Sequence, residues 1–208
     1  IALPLTVLQG HLAGVAERAK SGAPPDEGDV SGALAASHYL GQLSANLAAA
    51  ARLEGSAPIE RRDVDLGAVA ARVTERLGPI ARHRHVEVAC SVPDAPAIVT
   101  GDELLLERAI ANLVHNAVRH RPAATPAAPG HVAVLVERVG GVPRVRVVSD
   151  GERVSDEVLE RLRRGESPPD PGRTRGRGIG LRIVRQVADA HAMTVAFDAH
   201  TARQALAQ

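Results

Sequence analysis

Two runs of apolar residues at heptad spacing constrain the first quarter of this chain more than any other feature. Leu5, Leu8, Leu12, Val15 and Ala19 are spaced 3, 4, 3, 4, which places them on one narrow stripe of a helix of about 17 residues. The stretch 21–29, with Gly22, Pro24, Pro25 and Gly28, breaks that helix. A second helical run over 30–54 repeats the seam at Leu40, Leu43, Leu47 and Ala50. Two helices on a short loop make an antiparallel hairpin. One stripe on each helix is too little apolar surface for an isolated unit. Pairing two hairpins into a four-helix bundle buries both stripes, so a homodimer is expected.

The rest of the chain is long enough for a core of its own, and composition says what that core is made of. Of 208 residues, 45% are hydrophobic but only 1% aromatic, Tyr39 and Phe197, so Ala, Val, Leu and Ile must fill it. With 25 Lys plus Arg against 24 Asp plus Glu the charge is close to balanced, which argues against a dedicated nucleic-acid binder. Cys90 is the single cysteine, so neither an internal disulfide nor a cysteine zinc cluster is available. A reducing compartment, the cytoplasm, fits. No apolar run reaches the roughly 18 residues of a membrane span, and no signal peptide is visible. The chain starts at Ile1 and its one methionine is Met193, so it reads as part of something longer.

The pattern changes after the linker at 55–58, which sets an expected division into 1–57 and 58–208. A helix is predicted over 66–81, a strand over 86–90 and a short strand at Ile98 and Val99. Thr100 and Glu103 have the spacing of a capping box for the next helix. Strands over 132–139 and 144–148 form a hairpin turning at Gly140 and Gly141. A short helix follows over 154–164, then a proline- and arginine-rich loop over 165–178. A helix over 179–190 and a closing strand over 194–197 complete the chain. Helices alternating with mostly hairpin-connected strands imply an α+β layer with helices on one sheet face.

Two segments carry chemistry. In 112–120, Asn112, Asn116, Arg119 and His120 share one helix face, beside an apolar stripe of Leu106, Ile110, Leu113 and Ala117. An amide oxygen can ligate Mg²⁺, which takes only one or two protein ligands, and an arginine on the same face can contact phosphate. Gly176, Gly178 and Gly180 open the helix that follows the loop. Glycine lets backbone N–H groups approach an anion, and a helix N-terminus favours one. This is neither a Walker loop, since no Gly-Lys-Ser/Thr follows, nor a dinucleotide fingerprint, since no strand precedes it. Both segments also have plain readings, a solvated amide face and a flexible turn. His11 and His38 read as surface or seam residues, and His83 and His85 as surface.

Together these segments resemble the sensor histidine kinases of two-component signalling, within the Bergerat-fold ATPases. The stretch 46–55 is similar to the end of that family's second dimerisation helix. Val64, Asp65 and Leu66, the pair Gly101 and Asp102, and His191 fall where the family has similar residues. The stretch 112–122 resembles its asparagine box and 176–181 its second glycine box. The implied fold is a dimerisation and phosphotransfer hairpin followed by a Bergerat-type ATP-binding α/β sandwich.

By this resemblance Asn116 is the Mg²⁺ ligand, Arg119 stands for a lysine near the phosphates, and His120 for a tyrosine near the nucleotide. Gly176, Arg177, Gly178, Ile179, Gly180 and Leu181 would line the phosphates of ATP, beneath a lid over 165–175; Arg173, Arg175 and Arg177 are candidate phosphate contacts, against a plain solvated cluster. Hydrolysing relatives carry a glutamate at the position of Asn112. An amide cannot act as that general base, so phosphoryl transfer is implied rather than hydrolysis. The first glycine box departs from the family pattern Asp-x-Gly-x-Gly. Aligned on Gly151, Ser149 takes the aspartate position and Arg153 the second glycine; with a one-residue slip Asp150 serves instead. Pro4, Leu5 and Thr6 match the end of the acceptor-histidine motif, which puts that histidine about two residues before Ile1. The implied protein is the cytoplasmic kinase core of a membrane-bound sensor, phosphorylating a histidine with ATP and passing the phosphoryl group to a response regulator receiver domain. The altered glycine box leaves open a degenerate dimeric scaffold that docks a response regulator without ATP.

Overall fold

The structure is a computed structural model and describes residues 2–55, 58–119, 125, 127–151, 155–164, 166 and 179–198. It divides into two compact units, 1–51 and 52–208.

In the first unit, α1 (Ala2–Lys20) and α2 (Glu27–Glu54) form the hairpin. α2 begins before the expected 30 because Asp26 caps it, accepting the Asp29 N–H at 3.2 Å. Glu27 and Asp29 then suit the positive end of the helix dipole. The two helices close over glycines. A Cβ on Gly14 would lie 2.3 Å from an Asp29 carboxylate oxygen, and one on Gly32 would lie 2.3 Å from His11 Nε2. In that space His11 Nδ1 meets Asp29 Oδ1 at 3.1 Å. His11 is thus a half-buried seam residue. The buried apolar residues of α2 are Ala33, Ala36 and Ala49, while Leu12 and Leu47 stay 51% and 47% exposed.

The second unit begins its regular structure with β1 (Arg62–Asp65), then α3 (Leu66–His83), β2 (Val86–Ser91), β3 (Ile98–Gly101) and α4 (Glu103–Arg119). The hairpin of β4 (Gly130–Val139) and β5 (Val142–Ser149), α5 (Asp156–Arg163) and α6 (Ile179–Ala190) complete it. β1 pairs antiparallel with β3, while β2 runs parallel to β4, which pairs antiparallel with β5. Gly140 and Gly141 turn the β4–β5 hairpin with φ of 59° and 85°, the two positive values a tight two-residue turn demands. α3 and α4 pack on the three-stranded sheet, and α6 packs on α4.

α3 starts at Asp65, whose carboxylate accepts the Gly67 N–H at 2.9 Å and the Ala97 N–H at 3.1 Å. Its buried face is Val69, Ala70, Val73, Leu77 and Ala81, a helical stripe. Arg72 and Arg76 tie α3 to Glu103 and Glu107 of α4 across the outer surface. Burial lowers the pKa of the neighbouring Arg108 from its ordinary value; the charge of Arg76 adds to that and Glu107 opposes it.

Several expectations need correction. The cap of α4 is Asp102, not a box of Thr100 and Glu103. Asp102 Oδ1 accepts the N–H groups of Leu104 at 3.1 Å and Leu105 at 3.2 Å, while Thr100 is still in β3, pairing with Asp63. The buried stripe of α4 runs through Leu106, Ile110, Val114 and Val118; Leu113 and Ala117 are half-buried, because the sheet-facing side lies one residue further on. The closing strand does not form. Val195 and Phe197 are half-buried and Thr194 and Ala196 exposed, the alternation of a strand, but among the described residues no strand pairs with them. β1 has no readable signature in the sequence, because Val64 is its one buried residue, too few to show a period of two.

Candidate functional site

The candidate residues lie on α4, on the first turn of α6 and at the end of β5. α4 contacts β5 and α6. Asn112 is buried in its middle, 3% exposed. A Cβ on Gly180 would lie 3.3 Å from Asn112 Oδ1. Glycine at 180 therefore lets the first turn of α6 approach the asparagine helix closely. Asn116 lies one turn further along α4, and Arg119 is its last residue; both are half-buried. Ile179, Gly180 and Leu181 are the first residues of α6. Their backbone N–H groups are among the four that an α-helix leaves without an intrahelical acceptor, the arrangement that receives anions.

Ser149 ends β5, paired with Val132 of β4. Asp150 follows, and its backbone N–H donates to His131 O at 3.1 Å. In return His131 N–H donates to Asp150 Oδ1 at 3.0 Å. The carboxylate takes the place a backbone carbonyl would have in a continued ladder, and so helps end the strand. Gly151 follows it, half-buried. His120, Arg153, Arg173, Arg175, Gly176, Arg177 and Gly178 lie outside the described residues.

The far end of the α4–α6 pair holds residues whose role the sequence pattern did not show. His191, directly after α6, is buried and reaches back to the start of α4. Its Nε2 accepts the Asp102 N–H at 2.9 Å, and its Nδ1 lies 2.7 Å from Val187 O. Gly101 makes room, since a Cβ there would lie 2.7 Å from His191 Cδ2. Asp102, 2% exposed, also receives Nε–H of Arg52, the first residue of this unit, at 2.7 Å. A glycine and an aspartate just before a helix were the available signal, but nothing in their spacing names the histidine 89 residues away.

Among the described residues no cluster of three His, Cys, Asp or Glu side chains could cage a metal.

An α+β layer, with an amide-bearing helix set against a helix opened by glycine, defines a nucleotide-site class of fold. Residues 101–205, half of the chain, match the family described as histidine kinase-, DNA gyrase B-, and HSP90-like ATPase. The chain belongs to that family, and the relatives it matches include sensor histidine kinases. The sensor-like histidine kinase SenX3 of Mycolicibacterium smegmatis is 30% identical over 162 residues, 76% of this chain and 41% of the relative. The chain thus spans about two fifths of that relative's length. Among solved structures, Acinetobacter baumannii histidine kinase AdeS aligns with a TM-score of 0.56 at 20% identity, covering 91% of this chain and 85% of that one. ShkA, full-length in complex with AMPPNP, gives a TM-score of 0.56 at 24% identity over 78% of this chain and 33% of its own. These two establish the shared fold. No helix among the described residues is long and apolar enough to cross a membrane.

Proposed function

We propose that this chain is the kinase core of a two-component sensor: it binds ATP with Mg²⁺, directs the γ-phosphoryl group to a histidine, and the group passes from there to an aspartate of a response regulator receiver domain. The observation that carries the reading is the contact of buried Asn112 with Gly180, which sets the asparagine helix against the helix start that would receive phosphates. Asn116 would hold Mg²⁺ through its amide oxygen, and the bound ion would neutralise phosphate charge. Arg119 would add a positive charge at the end of α4. Asn112 offers an amide where a hydrolase needs a base, so water is not activated there. Transfer then depends on positioning and charge neutralisation, the terms that dominate phosphoryl-transfer catalysis. The hairpin of 1–57 would supply the dimer and the phosphotransfer segment, and 58–208 the ATP-binding segment. The expected setting is the cytoplasmic side of a membrane-bound sensor.

A second reading has its own observation. Asp150, one of the two candidates to contact the base, spends Oδ1 on His131 N–H, and the other candidate, Ser149, carries no charge. A dimeric scaffold that docks a response regulator without ATP would fit that. Titration calorimetry with ATP and Mg²⁺ decides between them. The kinase reading expects saturable heat for the parent and at least tenfold weaker binding for Asn116→Ala. No heat at millimolar nucleotide would leave only the scaffold.

A further inference from the structure

We infer that His191 is a positioning residue for the site: from the far end of the α4–α6 pair it fixes the register that keeps Gly180 against Asn112. The inference rests on the nucleotide-site reading above for its consequence, but its geometry stands apart from it.

The ring's protonation pattern follows from its partners. Val187 O can only accept, so Nδ1 carries the proton; Nε2 is then the lone pair that accepts the Asp102 N–H. Both nitrogens are satisfied inside the protein, and the ring is buried. The bond does not fall on a loop. It falls on the cap residue of α4, whose carboxylate already closes the N–H groups of Leu104 and Leu105. A pull on Asp102 is therefore a pull on the whole helix. At the other end of the ring, Val187 is 1% exposed, so its carbonyl is a fixed anchor on α6.

Asn112 lies about 15 Å along α4 from Asp102, and Gly180 a similar distance along α6 from His191. The two helices run antiparallel, touching at Asn112–Gly180 and tied at Asp102–His191. One residue of slip turns a helix by about 100°, which would carry Gly180 away from Asn112. The fit at the tied end has little slack, because even a methyl group at Gly101 would meet the ring at 2.7 Å.

The test uses the full chain, labelled with ¹⁵N, in four variants. His191→Ala is expected to shift the Gly180 backbone signal and the Asn112 side-chain amide signals, and to weaken Mg²⁺–ATP binding about tenfold. Gly101→Ala, which keeps the histidine but displaces its ring, should do the same. His191→Gln, whose amide oxygen can accept the Asp102 N–H, should restore most of both. Val86→Ala, at the buried first residue of β2, should lower the melting temperature without moving either signal. Gly180 and Asn112 signals unmoved in Gly101→Ala and in His191→Ala would overturn the inference, as would Val86→Ala moving them equally. If His191→Ala fails to fold, Gly101→Ala and His191→Gln decide. A parent that binds no nucleotide sinks the kinase reading alone, because the spectra still report the register.

Discussion

The hairpin and the α+β unit bury different kinds of apolar residue. In the second unit the largest side chains go inside: Val69, Val73, Leu105, Val114 and Ile183 are all at or below 1% exposure. In the first, alanines and glycines occupy the helix contact while Leu3, Leu5, Leu12, Leu34 and Leu47 face outward. A buried methylene contributes about 0.8 kcal/mol, so an alanine interface yields little. The same apolar periodicity therefore means two things. In α3, α4 and α6 it marks a face that meets the chain's own sheet and helices. In α1 and α2 it marks a face only partly covered among the described residues, with Leu5, Leu12 and Leu47 exposed and Leu8, Val15, Leu40 and Leu43 half-buried, where the proposed second hairpin would lie.

The comparison can be broken from either side. The largest expected effect is in the second unit. Ile183→Ala removes a fully buried side chain from α6, and the cost should be about 2–5 kcal/mol, read from urea unfolding and independent of protein concentration. A loss below about 1 kcal/mol would mean that this core is loosely packed. Next comes the outward face of the hairpin. Leu12→Glu with Leu47→Glu should convert the proposed dimer to a monomer in sedimentation, because paired like charges would replace an apolar seam. The unfolding of the second unit should stay where it was. A double variant that remains dimeric would show that the leucine face is not the interface.

The division between the two regions also explains what could be read in advance. The helices of the second unit, the Gly140–Gly141 turn and the placement of Asn112 on α4 follow from local pattern, since periodicity and turn chemistry act over a few residues. The pairing of β1 with β3 did not, because one buried valine carries no period. The cap of α4 was misassigned by two residues. Thr100 has the right chemistry, but the ladder with Asp63 keeps it in the strand, a long-range fact. The strand expected over 194–197 has the alternation but lacks a neighbour among the described residues. At the site, the asparagines and the glycines were legible as separate segments. Their contact, and the tie from His191 to Asp102, depend on how α6 returns along α4.

A smaller effect tests the inner side of the hairpin. Gly32→Ala gains helix propensity of about 1 kcal/mol but drives a methyl group into the His11 ring. Overpacking of this kind typically costs 1–3 kcal/mol, so a net loss of about 1 kcal/mol is expected. Combining it with His11→Ala should remove the loss and leave the gain. A stabilised single variant would show that the helices can separate without cost, and that the close approach at Gly14 and Gly32 is not what defines the hairpin.

The smallest effect concerns a position that needs glycine and lacks it. After α6 the chain turns through Ala192 at φ 55°. Ala192 N–H donates to Asp189 O at 3.1 Å and Met193 N–H to Ala188 O at 2.8 Å, the paired bonds of a Schellman cap. That cap favours glycine, because a Cβ in the left-handed region costs roughly 1–2 kcal/mol. Glycine returns part of this through the greater freedom of the unfolded chain. Ala192→Gly should therefore stabilise the second unit by about 0.5–1 kcal/mol, a rise of a few degrees in melting temperature. Gly14 and Gly32 serve space, whereas position 192 would use glycine for its backbone angle, so glycine should be favoured over alanine at both kinds of site for different physical reasons. The turn directly follows His191, so Ala192→Gly should also leave the Gly180 and Asn112 signals in place. Stability gained with those signals displaced would show that the cap and the helix register are coupled, and that the alanine is retained for the register rather than tolerated by it.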